Sequence, residues 1–274
     1  MNENVTIIKP KKGWQLVDIK ELIAYKDLFR FLIIRGIKAK YAQSILGIGW
    51  AVIQPLFTTL LLTVVFGSIA KVDSGDMPYV IFSAAAVVPW TYFSNSLTES
   101  ASSLITNASL ITKVYFPRLI LPLSIVISKL LDFTIAFFVL LVVTISLGYY
   151  PNINYLLIPV LIVISMMTAA GIGMWLSSMA VQYRDINYSM SFLVQLLMYA
   201  APVVYSTYAI PQKYQLWYAI NPMVGVIEGY RAILSGAPTL PIDFLLIGLI
   251  TSVILFISGA LYFKRMERLF ADVA

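Results

Sequence analysis

The chain has 274 residues, of which 60% are hydrophobic, 14% aromatic and only 12% charged. Mean hydropathy is +0.86, and a soluble domain would carry about 25% charged residues to face water, so the composition predicts an integral membrane protein, which the apolar stretches described below make all-α and polytopic. Cysteine and histidine are both absent, which excludes disulfides, thiol nucleophiles, Cys/His zinc sites, histidine-ligated haem and any Ser-His or Cys-His pair; no catalytic or metal site is expected.

Nine of the nineteen Lys and Arg fall within the first 45 residues, without the short apolar core and small-residue cleavage site of a signal peptide. Residues 1–15 form a tail with no readable pattern, and residues 16–45 contain an amphipathic helix from Asp18 to Ile37. Leu22, Tyr25, Phe29, Leu32 and Ile33 share one face, and Lys20, Asp27, Arg30 and Lys38 oppose them. Phe31 and Ile34 interrupt the polar face. Such a helix suits the membrane interface, with Lys20, Arg30 and Lys38 by anionic headgroups and Leu22, Phe29 and Leu32 below them; packing on a protein partner is the other use of the same face.

Six apolar stretches long enough to cross about 30 Å of hydrocarbon follow within residues 46–268. They lie near Gly47–Ile69, Tyr79–Leu104, Ile120–Leu147, Tyr155–Val181, Ile186–Tyr205 and Pro241–Tyr262. Ser206–Leu240 is apolar but broken by Pro211, Pro222, Gly225, Gly229, Gly236 and Pro238, and it predicts two short helices that dip into the membrane and return, a geometry tolerated where protein or a water-filled cavity covers the backbone. Residues 269–274 are a short tail. With six spans and the N-terminus inside, fifteen Lys and Arg lie on the cytoplasmic side and three outside, so both termini are expected in the cytoplasm. No inverted internal repeat is apparent.

Charges inside spans are costly and mark functional positions by default. Lys129 and Asp132 stand three apart in the third span, and Glu99 falls late in the second. The spacing predicts a Lys129–Asp132 ion pair, with substrate handling as the other reading. Three such charges do not make a proton relay. No G-x-x-x-x-G-K-[ST] loop occurs in the chain, so any ATP-driven step would need hydrolysis on another polypeptide.

Two polar interruptions face the expected cytoplasmic side, Asn107 to Pro122 and Gln182 to Ile186. A short segment with an apolar stripe and a few charges suits docking into a partner's groove, with Tyr115 and Phe116 as apolar anchors; an ordinary membrane turn is the alternative. On the expected outer side, Tyr199, Tyr205, Tyr208, Tyr214, Trp217, Tyr218 and Tyr230 put seven aromatics into the thirty-three residues from Tyr199 to Arg231. An interfacial aromatic belt and the wall of a sugar-polymer path both account for them. Glu228 and Arg231 can pair at i,i+3.

Several of these segments together resemble the ABC-2 type permease subunit of bacterial cell-surface polysaccharide exporters. The matching pieces run in order: Arg35-Gly-Ile-Lys-Ala-Lys-Tyr41 with Leu46-Gly47 and Trp50, Pro89-Trp90, Phe93-Ser-Asn95, Asn107 through Pro122, Arg184-Asp185, Asn221-Pro222 and Glu228-Gly-Tyr-Arg231. Residues 16 to 268 carry the resemblance, which is nearest to exporters of lipid-linked O-antigen, with capsule and teichoic acid permeases as relatives. It implies a type V exporter-like half-transporter in the bacterial cytoplasmic membrane, whose pore is a homodimer and whose power comes from two copies of a separate ATPase holding ATP and Mg. It also implies that the interface helix and the two interruptions, through Leu110, Lys113, Tyr115, Phe116, Arg118, Arg184 and Asp185, contact that ATPase. Tyr205, Tyr214, Trp217, Tyr218, Glu228, Tyr230 and Arg231 would then belong to the outer gate and polymer path. A membrane scaffold that transports nothing, or an intramembrane hydrolase built on a Ser-Lys pair, are the competing classes; the missing histidine weighs against the last.

Overall fold

The computed structural model describes residues 19–42, 44–75, 77–183 and 185–267. The tails 1–15 and 269–274, with Arg184 and the basic residues Lys9, Lys11, Lys12 and Arg268, lie outside the described residues. All regular structure among the described residues is helical.

The predicted amphipathic helix is two helices, α1 (Ile19–Ala24) and α2 (Lys26–Tyr41), joined at Tyr25. The faces fall as the periodicity predicts: Leu32 is buried, Leu22, Tyr25 and Phe29 pack against the core, and Lys20, Asp27, Arg30 and Lys38 are exposed. What covers the apolar face is this chain's own bundle. α2 lies along α7 (Ile120–Ser128), and a Cβ on Gly36 would sit 3.4 Å from the Ser128 hydroxyl oxygen. Phe31 and Ile34 stay exposed on the opposite side.

α3 (Gly49–Leu62) continues as a π-helical stretch, Thr63–Ile69, and is followed by α4 (Tyr79–Ala101). Two short turns, α5 (Ser103–Thr106) and α6 (Ala108–Ile111), lead through a loop to α7, and α7 gives way to α8 (Leu130–Ser146) at Lys129. α9 (Ile158–Gln182), α10 (Asp185–Tyr199), α11 (Gln212–Tyr218), α12 (Pro222–Ser235) and α13 (Ile242–Met266) complete the bundle.

Four of these stretches are long and apolar enough to cross a membrane: Gly49–Ile69, Ile120–Ser146, Ile153–Gln182 and Ile242–Met266. The second and fifth predicted spans fall short for different reasons. α4 has 23 residues but carries Thr91, Ser94, Asn95, Ser96, Thr98, Glu99 and Ser100. It can do so because neighbouring helices rather than lipid surround it, and most of its length is buried. α10 is only 15 residues long and ends at Tyr199, before the turns that lead to Tyr205.

Backbone proximity holds the middle of the bundle. A Cβ on Gly171 would lie 2.6 Å from the Leu255 carbonyl carbon, and one on Gly259 would collide with the Gly171 backbone. α9 and α13 therefore touch main chain to main chain, the use that helix pairs in lipid make of small residues. They run parallel: Leu161 and Leu245 both meet Gly229 near their starts, and Trp175 stacks on Tyr262 at 4.2 Å near their ends. A Cβ on Gly225 would lie 2.5 Å from the Phe244 carbonyl oxygen, so α12 is held equally close to α13. At the centre, Phe133 and Phe137 of α8 contact Tyr230 of α12, and Phe133 meets Tyr92 of α4 edge-on at 5.5 Å.

Candidate functional site

The first candidate region gathers where α13 ends. Arg118 donates its backbone N–H to Glu267 Oε1 at 3.1 Å and its guanidinium to the Glu267 carbonyl at 3.0 Å. A cation at the last turn of a helix satisfies carbonyls that have no partner within it, so the loop after α6 is fastened to the end of α13. Lys264 closes the cluster on Glu267 at 2.7 Å. Tyr115 is 80% exposed and donates to Glu21 of α1 at 3.3 Å; this places α1 beside the same loop. The negative charge of Glu21 pushes the Tyr115 phenol above its usual range.

Phe116 corrects the sequence reading. It is 3% exposed and belongs to this chain's core, so it cannot be an anchor in a partner's groove. Adjacent residues of an extended loop point to opposite sides, which sends Phe116 inward as Tyr115 goes out. Leu110 packs partly on the core, while Lys113 and Asp185 are exposed. Arg184 lies outside the described residues.

A second correction concerns the intramembrane charges. Lys129 and Asp132 do not pair. Lys129 forms an ion pair with Glu99 of α4, and Asp132 accepts from Lys40 and from the Tyr41 hydroxyl at the end of α2. The change from α7 to α8 falls on Lys129, which aims the two side chains at different neighbours. Lys40 and Tyr41 lie in the Arg35–Tyr41 segment, so that segment ties the helix of the basic end to the first turn of α8. Asp132→Asn keeps the shape and removes the charge; since Lys40 is exposed and Tyr41 half-buried, it is expected to lower thermal stability by about 1 kcal/mol. A melting curve in detergent measures it.

The third region lies at the other end of the bundle, where α12 finishes. Arg231 and Glu228 pair at 3.0 Å and are 4% and 8% exposed. Hydrogen bonds converge on both members of the pair. Glu228 accepts from the Thr207 N–H at 3.1 Å and its hydroxyl at 2.7 Å. Arg231 donates to the carbonyls of Phe82, Val203 and Tyr205 and lies 3.5 Å over the Phe82 ring. A buried ion pair is tolerated when such hydrogen bonds satisfy it; here it fastens the chain between α10 and α11 to α4 and α12. Tyr79 adds a bond from its hydroxyl to the Val204 carbonyl at 2.8 Å.

The aromatics divide. Tyr230 is buried in the central cluster, Tyr214 and Trp217 are exposed, and Tyr205 and Tyr218 are half-buried with their hydroxyls 2.8 Å apart. Since Tyr205 donates to the Tyr199 carbonyl at 2.9 Å, Tyr218 is the donor between the two. Pro222 lies against Gly248, six positions into α13, so the joint between α11 and α12 sits below the start of α13. Asn221 caps α12 by accepting from the Met223 N–H, and Gly236 ends it with φ 72°, a left-handed conformation that glycine adopts without strain.

The sequence reading missed the Asp132 contacts because they join residues 91 and 92 positions apart; a helix-end Lys-Tyr pair and a lone intramembrane Asp were the available signals.

The family model for ABC-2 type transporters matches residues 27–235. This chain belongs to the ABC-2 type transporter family and, with its four long apolar helices, is a multi-pass membrane protein. It is similar to the O-antigen export system permease protein RfbA of Myxococcus xanthus, 31% identical over 78% of this chain and 83% of that protein. The RfbA of Klebsiella pneumoniae is 28% identical over 94% and 95% of the two chains. The polysialic acid transport protein KpsM of Escherichia coli is 24% identical over 86% and 92%.

Proposed function

We propose that this chain is the membrane half of an ATP-driven exporter that moves a lipid-linked, O-antigen-like cell-surface polysaccharide across the bacterial inner membrane. The observation that carries this reading is similarity to permeases named for O-antigen export, over 94% of this chain in one case and 78% in the other. A capsule or teichoic acid polymer is the nearest alternative cargo, and similarity to a polysialic acid transporter favours capsule of the two.

In this reading α4 and α10 also cross, giving six spans. Encasement of α4 by protein and the parallel run of α9 and α13 support that count, since the intervening chain must return to its starting side. The α11–α12 hairpin is re-entrant from the outside, both termini are cytoplasmic, and Lys20, Arg30 and Lys38 sit by lipid headgroups. Tyr92, Phe133, Phe137 and Tyr230 fill the centre of one bundle, so a polymer must pass beside the protomer, and a second copy encloses it. α3 and α10 leave Phe57, Leu61, Tyr188, Phe192 and Leu196 exposed for that copy or for lipid.

Two ATPase subunits, holding ATP and Mg, bind the end formed by α1, the Tyr115 loop and the start of α10. Leu110, Lys113, Tyr115, Arg184 and Asp185 make the contact, while Phe116 and Arg118 hold the loop in shape. Tyr115→Ala is expected to weaken co-purification of the ATPase by about 2 kcal/mol, as exposed aromatic anchors do when truncated. Phe116→Ala is expected to lower the melting temperature instead, by the equivalent of about 3–5 kcal/mol. Equal ATPase recovery with wild type and Tyr115→Ala would remove the loop from the contact.

Tyr214, Trp217 and Tyr218 form the outer mouth, held from behind by Tyr205 and the Glu228–Arg231 pair. Alanine at both Trp217 and Tyr218 should reduce surface polymer or open a small-ion leak without loss of expression. Wild-type values for both would assign these aromatics to an interfacial belt.

A further inference from the structure

A groove runs along one side of the bundle between α3, α4 and α8, with a volume of about 450 Å³, within the range of about 300–1,000 Å³ that holds small ligands. Its walls are apolar: Val52, Leu56, Leu60, Val64, Val88 and Leu140 among them. The hydroxyl of Thr63, which also lines it, is engaged within the protein, on the Thr59 carbonyl at 2.7 Å and near Ser83. Toward the end of α2 the groove runs into a cleft of different character; Pro55, Val88 and Ala136 line both.

The cleft is polar. Lys40, Lys129 and Asp132 line it, two cations against one anion. Each lysine ammonium has three N–H donors, and among the described residues each makes one side-chain hydrogen bond, Lys40 to Asp132 and Lys129 to Glu99. Glu99 is half exposed, so its hold on Lys129 is weakened by water. Gln54, Thr91 and Asn95 also line the cleft, adding amide and hydroxyl groups. A slot that is apolar along its length and presents two ammonium groups with spare N–H donors at one end, one of them held only by a half-exposed carboxylate, is complementary to an amphiphile with an anionic head.

We propose that this slot is a binding site for an anionic phospholipid of the bilayer, with the phosphate by Lys40 and Lys129 and one acyl chain along α3, α4 and α8. The groove opens sideways along its length, where bilayer lipid is the most abundant amphiphile. A singly charged headgroup matches the cleft, whereas a zwitterionic one adds a cation beside two lysines. The bound lipid would bridge the end of α2 to α3, α4 and α8 at the Asp132 contact, and so would hold the helix of the basic end on the bundle. This inference does not depend on which polymer is exported.

The test is retention of lipid by the full chain extracted from nanodiscs of equal parts phosphatidylglycerol and phosphatidylcholine, read by native mass spectrometry. Wild type is expected to keep phosphatidylglycerol in preference to phosphatidylcholine. Lys40→Gln should reduce that preference about five-fold, the worth of one basic residue beside an anionic lipid. Leu56→Trp, at an exposed groove wall, should reduce it without altering charge. Equal retention of both lipids by wild type, or an unchanged preference in both variants, would overturn the site. Preferential retention of a long-chain polyprenyl phosphate over phosphatidylglycerol when both are supplied would overturn the assignment to a bilayer lipid. A dimer that keeps no lipid and is broken by Leu56→Trp would assign the groove to a second copy of the chain.

Discussion

Leucine in place of Gly259 will separate α9 from α13 and abolish recovery of folded protein. A Cβ at this position runs into the Gly171 backbone, and one at Gly171 stands 2.6 Å from the Leu255 carbonyl carbon. Main chain on both sides cannot rotate away as a side chain can, so the helices themselves must part. Overpacking where side chains can shift costs about 1–3 kcal/mol; here the expected loss exceeds that range, because α13 also carries α12 and its buried ion pair. The comparison is Gly248→Ala, whose Cβ would meet Pro222 at 3.3–3.4 Å, a distance that a small shift of the hairpin relieves. Size-exclusion profiles and melting curves in detergent should show a monodisperse Gly248→Ala protein and an aggregated or absent Gly259→Leu protein.

Removing the Arg231 guanidinium is the second large effect. Arg231→Met leaves the Glu228 carboxyl without its cation in a site that is 8% exposed and strips donors from three backbone carbonyls. Leaving one partner of a buried pair behind costs about 3–5 kcal/mol. Glu228→Gln combined with Arg231→Met should cost less than the two single changes together, since the stranded carboxyl is gone and the amide can still accept from Thr207. A double-mutant cycle on melting free energies measures that coupling. Strict additivity would mean that the two side chains do not act as a unit.

The pattern of the sequence carried much of this architecture. Composition alone announced a membrane protein, and hydropathy located the four apolar helices to within a few residues or, at the start of α9, by way of a short 3-10 turn. Hydropathy is a statement about contact with lipid, and it weakened where lipid contact ends: α4, wrapped in protein, holds serines, Asn95 and Glu99 that a lipid-facing span would exclude. Periodicity placed the apolar face of α2 correctly but not its cover: the expectation that Leu22, Phe29 and Leu32 dip into lipid is corrected, since they pack on this chain's own core. The i,i+3 rule succeeded for Glu228 and Arg231, which lie on one uninterrupted helix, and failed for Lys129 and Asp132, where the change from α7 to α8 redirects the side chains. Tyr115 and Phe116 differ by one position and by almost the whole range of exposure; an extended loop has no periodicity from which to read that.

Export of a polysaccharide assembled inside the cell is the proposed role of this chain. The most direct measurement is the location of that polymer in cells lacking the chain, by surface labelling and by extraction of lipid-linked saccharide from the cytoplasmic face. The expected result is loss of surface polymer with accumulation of lipid-linked polymer inside, reversed by the wild-type chain together with its ATPase. Undiminished surface polymer in cells lacking the chain, with no internal accumulation, would contradict it.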